Sequence, residues 1–328
     1  MKPLYITGGT QKPVGLKARQ EWELYEKAII LRVDPECRTI ERVVEYVTPP
    51  PLRPDRDSSI SFEGGTVEGD RLYTCTRTET LVYRLPHFGL VNHLSLPCFN
   101  DVHHVRPTPE GNVIVTNTGL DMVLESTLDG EIVNEWGVLG ESPWVRFSRE
   151  VDYRKVPTTK PHGAHPNYTF VLDGELWVTR CHQSDAICLT QNGRRIQVGG
   201  EVCHDGEVRD GKIYFTTVNG TIVVVDAKTL QTQTVVDLKQ IDNPGNAILG
   251  WCRGLLVVDE NHVWVGFTRL RTTKFKENVK WVKSLIKGEE KPSHIALYDI
   301  SAHRRLMEID LEPAEMHMVF GILPAHGA

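Results

Sequence analysis

The chain lacks any apolar run of the roughly 18 residues or more that a membrane-spanning helix needs. Its N-terminal stretch Leu4-Tyr-Ile6 is also too short for the core of a secretion signal. It has no Cys-x-x-Cys pair, and Cys37, Cys75, Cys98, Cys181, Cys188, Cys203 and Cys252 are odd in number and widely spread. That usage suits reduced thiols in a cytoplasmic protein rather than a disulfide framework. Basic residues are not in surplus: 37 Lys and Arg against 43 Asp and Glu leave a net charge of −6. This balance argues against nucleic acid and anionic membrane as partners. The charges are dispersed among plentiful aliphatic residues, which excludes a disordered acidic tail. No Gly-x-Gly-x-x-Gly follows a strand pattern, and neither a phosphate loop nor a Gly-x-Ser-x-Gly elbow occurs. Nicotinamide, nucleoside-triphosphate and ordinary serine-hydrolase chemistry are thereby disfavoured. Long helical periodicity is nearly absent.

What is present is a recurring hairpin. An apolar stretch, a turn of acidic residue plus Gly, and a second alternating stretch appear in Gly65–Tyr73 and Val105–Val115. The same pattern returns in Thr169–Val178 and Glu207–Phe215, and as Asp-Glu-Asn within Leu255–Val265. Each reads as two strands joined by a tight turn. Most lead into a second hairpin, clearest in Gly220–Asp237, where Asp226–Leu230 is the turn. Four strands repeated every 40 to 65 residues is a propeller pattern. Five internal blades are visible. Met318–Leu323 supplies the innermost strand of a sixth, with Leu4–Ile6, Ala28–Val33 and Thr39–Tyr46 outside it. Joining the chain ends in one blade removes two sheet edges.

The reading is all-β: one six-bladed β-propeller over residues 1–328, with insertions at about 136–161 and 270–292. Two β-sandwiches are the alternative, and the unbroken spacing without a linker argues against them. In the second insertion, Phe275, Val279, Val282 and Ile286 fall at helical spacing with lysines opposite, which predicts an amphipathic helix. The chain resembles the broad six-bladed propeller superfamily that includes gluconolactonase-like, NHL-repeat and virginiamycin B lyase-like proteins. The resemblance rests on the hairpin repeat and implies a fold, not an activity.

Histidine is abundant, with 13 residues against five methionines. In a propeller the first strand of each blade lines the axis, so residues entering those strands converge at one face. His104 lies seven residues before Gly111, His204 seven before Gly211, and His165 nine before Gly174. His317 directly precedes the closing strand. These four are expected to hold one metal, although the pairs His103/His104 and His162/His165 leave the choice of ligand open. Neutral imidazole suits Fe, Cu, Zn and Ni, whereas Ca and Mg want oxygen ligands. Asp101, Asp205 and Glu207 stand beside the histidines as acceptors for the free ring N–H or as catalytic bases. Arg253 is expected to bind an anionic group of the substrate, with Tyr168 and Glu63 also lining the site. The resulting expectation is an Fe or Cu oxidoreductase acting on a small organic molecule. A Zn- or Mn-dependent lyase or hydrolase and a non-catalytic binding platform are the alternatives.

Overall fold

A computed structural model describes residues 1–13, 20–56, 58–191, 193–199, 202–242, 249–270 and 291–325. Its strands form six four-stranded antiparallel sheets, five of them built in chain order from the axis outward. Blades 1 to 5 begin with the strands Gly65–Glu68, Val102–Pro107, Pro166–Leu172, Cys203–Arg209 and Trp251–Val257. Blade 6 takes its innermost strand, Met318–Pro324, from the C-terminus. Its other strands, Leu4–Gln11, Tyr25–Asp34 and Thr39–Tyr46, come from the N-terminus, as the closure argument expects. The six innermost strands contact one another in a closed ring.

Turn chemistry sets the hairpins. In blade 3 Leu172 pairs with Glu175, and in blade 4 Arg209 pairs with Lys212, leaving Asp173-Gly174 and Asp210-Gly211 as two-residue loops. All four loop residues have positive φ, the conformation a tight hairpin turn requires and Asp-Gly tolerates. Alternation along each strand then presents apolar side chains on both faces, and every face packs on a neighbouring blade. The interface of blades 4 and 5 buries Tyr214, Ile222 and Val224 against Val263, Val265 and Phe267. Blades 6 and 1 meet through Tyr5, Ile30, Phe62, Leu72 and Leu81. Closure brings Gly8 so near Met318 that an added Cβ would overlap the Met318 carbonyl oxygen.

The 136–161 insertion carries two short 3-10 turns, Pro143–Val145 and Tyr153–Lys155, after the last strand of blade 2. The helix expected around Phe275 to Ile286 lies outside the described residues. Among those residues no helix is long and apolar enough to cross a membrane. None of the seven cysteines forms a disulfide among the described residues.

Candidate metal centre

The site grows from an irregularity shared by five innermost strands. Pairing with the second strand slips between Val102 and His104, Pro166 and Thr169, Cys203 and Gly206, and Cys252 and Leu255. In blade 6 a slip between Thr7 and Gly8 leaves Phe320 without a partner. Such a bulge leaves residues unpaired, bends the strand and re-aims side chains. His103, Arg253 and Phe320 are residues passed over in this way, and all three line a cavity of about 80 Å³ at the entry face of the ring. Glu63, Arg77, Asp101, Lys160, His165 and Trp251 complete much of its wall. His204, likewise unpaired, packs its ring on Phe320 at 5.1 Å and stands 6.4 Å from the His103 ring.

Asp101, His162 and His165 each offer a donor atom, and the three atoms lie within 4.8 Å of one another. Asp101 and His165 both sit at the residue before an innermost strand, both with φ above +50°. Non-glycine residues pay for that conformation, which is commonly found where function demands it. The loop between His162 and His165 is held from blade 2. One oxygen of Asp121 accepts from the amides of Ala164 and His165, each at 2.9 Å, and the other from Gly163 at 2.6 Å. The second oxygen also accepts from Arg146 of the insertion at 2.8 Å. The insertion therefore fixes the site from behind.

His162 and His165 stack with Nδ1 atoms 2.7 Å apart. Two imidazoles bound at about 2.1 Å to one ion at a right angle would place their nitrogens roughly 3 Å apart, so the pair fits a shared cation. Burial lowers the pKa of both rings, against the pull of Asp101, which favours neutral imidazoles; without an ion one Nδ1–H donates to the other Nδ1, and a bound cation would replace that proton. Asp101 is the opposite case. Burial pushes its carboxyl up, but Arg77 at 2.8 Å, together with the nearby histidines and Lys160, holds it well below the ordinary range. It is a carboxylate at any physiological pH.

His103 and His204 flank this cluster in one shared tautomer. His103 donates Nδ1–H to the Asp101 carbonyl at 2.8 Å, and His204 donates Nδ1–H to the Asp205 carboxylate at 3.1 Å. A ring nitrogen so engaged leaves the Nε2 lone pair to a metal or a proton. The Nε2 of His204 is buried with no hydrogen-bond partner. Burial drives His103 down to about 3, so its ring is neutral.

Four expected site residues stand elsewhere, and the slip explains the first. Counting along an uninterrupted strand puts His104 on the axis, but the bulge gives that direction to His103. His104 instead stacks on Tyr168 at 3.9 Å, with Nδ1 3.1 Å from the Thr169 hydroxyl and Nε2 3.4 Å from that of Thr66. It packs between blades and is not a ligand of the cluster. His317 lies directly before the innermost strand of blade 6, where its Nδ1 accepts from the Gln11 amide at 3.1 Å, and it does not line the cavity. Tyr168 and Glu207 line a different cleft of about 850 Å³ among the far ends of the inner strands. Burial raises Glu207 to about 7, and it accepts from the Val257 amide at 3.0 Å.

Asp205 is spent on structure. Its Oδ2 accepts from Gly254 at 3.0 Å and Thr216 at 2.5 Å, while Oδ1 holds His204. That leaves it as a clamp between blades 4 and 5, one residue behind the cavity, rather than a base. His165, Asp101, Glu63 and Arg253 do reach the site. Arg77 and Lys160 also line the cavity, and no sequence signal marks them, because neither precedes a hairpin at the histidine spacing. Of the pairs left open, His103 and not His104 lines the cavity, and His162 and His165 both stand in the donor cluster, to which neither His103 nor His104 contributes.

No protein-family model matches the chain, and no curated protein matches it. Its fold does have solved counterparts. A protein of unknown function from Bacteroides caccae is similar over 99% of this chain and 100% of its own, with a TM-score of 0.62 and 12% identity. A chain of a nidogen/laminin complex is similar over 98% of this chain and 97% of its own, with a TM-score of 0.56 and 8% identity. At such identities the likeness is one of fold. The chain is a six-bladed β-propeller.

Proposed function

We propose that this propeller is a metal-dependent enzyme acting on a small organic molecule, with a transition-metal ion held by Asp101, His162 and His165. The observation that carries the reading is the meeting of these three donors within 4.8 Å beside a partly enclosed cavity. Two imidazoles and one carboxylate on one side of an ion leave positions open for substrate or dioxygen, the donor set of non-haem Fe(II) oxygenases. Iron is therefore the ion expected. His103 and His204 hold their Nδ1–H on Asp101 and Asp205 and so present Nε2 beside it as a hydrogen-bond acceptor for a bound ligand.

Metal analysis of protein purified without an affinity tag tests the reading. Near-stoichiometric iron is expected, and it should fall to background in His165→Ala while His104→Ala keeps it. Zinc or manganese in that place would turn the chemistry toward carbonyl polarisation or water activation. Protein that binds none of these ions on reconstitution would sink the metal reading and leave a binding platform.

A further inference from the structure

The charges around the cavity do not cancel evenly. Its wall carries two acidic side chains, Glu63 and Asp101, and the cations Arg77, Lys160, Arg253 and Arg269. Arg77 is neutralised by Asp101 at 2.8 Å and Arg269 by Glu312 at 3.1 Å. Glu63 accepts from the Ser61 hydroxyl at 2.7 Å, and burial lifts its pKa to about 8. Near neutral pH it is mostly a protonated donor, not a counter-ion. Arg253 has no acidic partner within ion-pair distance among the described residues, and its Nε is buried without a hydrogen bond.

The position of Arg253 is built rather than incidental. It sits in the blade 5 bulge, where the next residue, Gly254, has φ +79° and donates its amide to Asp205. The guanidinium carbon lies 5.2 Å from the Phe320 ring centroid and 5.7 Å from that of Trp251. The rings cover its flanks but supply no acceptor for its N–H groups. An N–H withdrawn from water without an acceptor, as the Nε–H of Arg253 is, is costly, and an anion arriving with its own oxygens removes that cost. A planar carboxylate accepts two parallel N–H bonds from such a fork.

We propose that the substrate of this site is a small carboxylic acid, its carboxylate held by Arg253 between Trp251 and Phe320, the rest of the molecule directed into the histidine-lined cavity. This deepens the metal-enzyme reading and rests on it only for the word substrate, since carboxylate binding by Arg253 does not need the metal.

The test is calorimetric titration of the full chain with acetate, pyruvate, acetamide and inorganic phosphate. Acetate or pyruvate should bind, and neutral acetamide should not. Arg253→Met should weaken carboxylate binding by about tenfold or more with its metal content unchanged. Arg253→Lys, which keeps charge and loses the fork, should fall between, and it serves if the methionine variant misfolds. Carboxylate binding that persists in His165→Ala after metal is lost separates this proposal from the metal reading. Equal binding by wild type and Arg253→Met, phosphate binding tighter than either carboxylate, or no carboxylate binding by wild type overturns it.

Discussion

Replacing Glu63 by glutamine should change how stability depends on pH, by an amount the structure sets. The side chain is 4% exposed and accepts from Ser61, and burial outweighs that hydroxyl and the nearby Arg253 and Arg77 to bring its pKa to about 8. Asp101 adds to the rise. In the unfolded chain the group titrates near 4.3. Below about pH 4 both states hold the proton, and the group adds no pH dependence. Between there and about pH 8 only the folded state keeps it, so unfolding releases a proton and stability declines as pH rises. Each pH unit is worth about 1.4 kcal/mol, so the step from pH 5 to pH 8 removes roughly 4 kcal/mol. Above pH 8 the curve is flat again. Glutamine keeps the shape and a hydrogen-bonding oxygen but does not titrate. Urea unfolding of both proteins from pH 5 to pH 9 should therefore show Glu63→Gln gaining on wild type by up to roughly 4 kcal/mol, with most of the gain before pH 8. Subtracting the curves removes the contributions of Glu207 and the buried histidines, which both proteins share. A difference that stays constant across this range would refute the claim that the cavity holds Glu63 protonated.

Asp121→Ala frees the amides of Gly163, Ala164 and His165 together with Arg146. Metal competition titrations should show affinity falling about 10- to 100-fold although all three donors remain. Asp205→Ala strips acceptors from Gly254, Thr216 and His204 at once. It should cost about 3 kcal/mol in urea unfolding, and a loss under about 1 kcal/mol would show that the clamp is not needed. Gly8→Ala drives a methyl group into the Met318 carbonyl at the closing blade. A loss of at least about 2 kcal/mol is expected, and an unchanged unfolding midpoint would contradict the tight closure.

The architecture was largely legible in the residues because its signals are local. Asp173-Gly174 and Asp210-Gly211 specify tight turns from neighbouring residues alone, and the alternation beside them specifies strands. The closing blade was legible too, because Met318–Pro324 and Leu4–Gln11 each needed a partner and the repeat left no other. The axial face followed from where the inner strands begin, but of the four expected ligands only His165 stands in the donor cluster. The side to which each residue points did not follow. Along a regular strand parity is a matter of counting, but a one-residue bulge reverses it, so His103 faces the cavity and His104 the blade interface. The grip of Asp121 on a loop 43 residues away is also invisible in sequence. Sequence by itself determined the blades, their turns and the end of the ring at which the inner strands begin. Only the tertiary structure decided which histidines meet, because bulges and blade-to-blade packing are settled by six strands fitting around one axis.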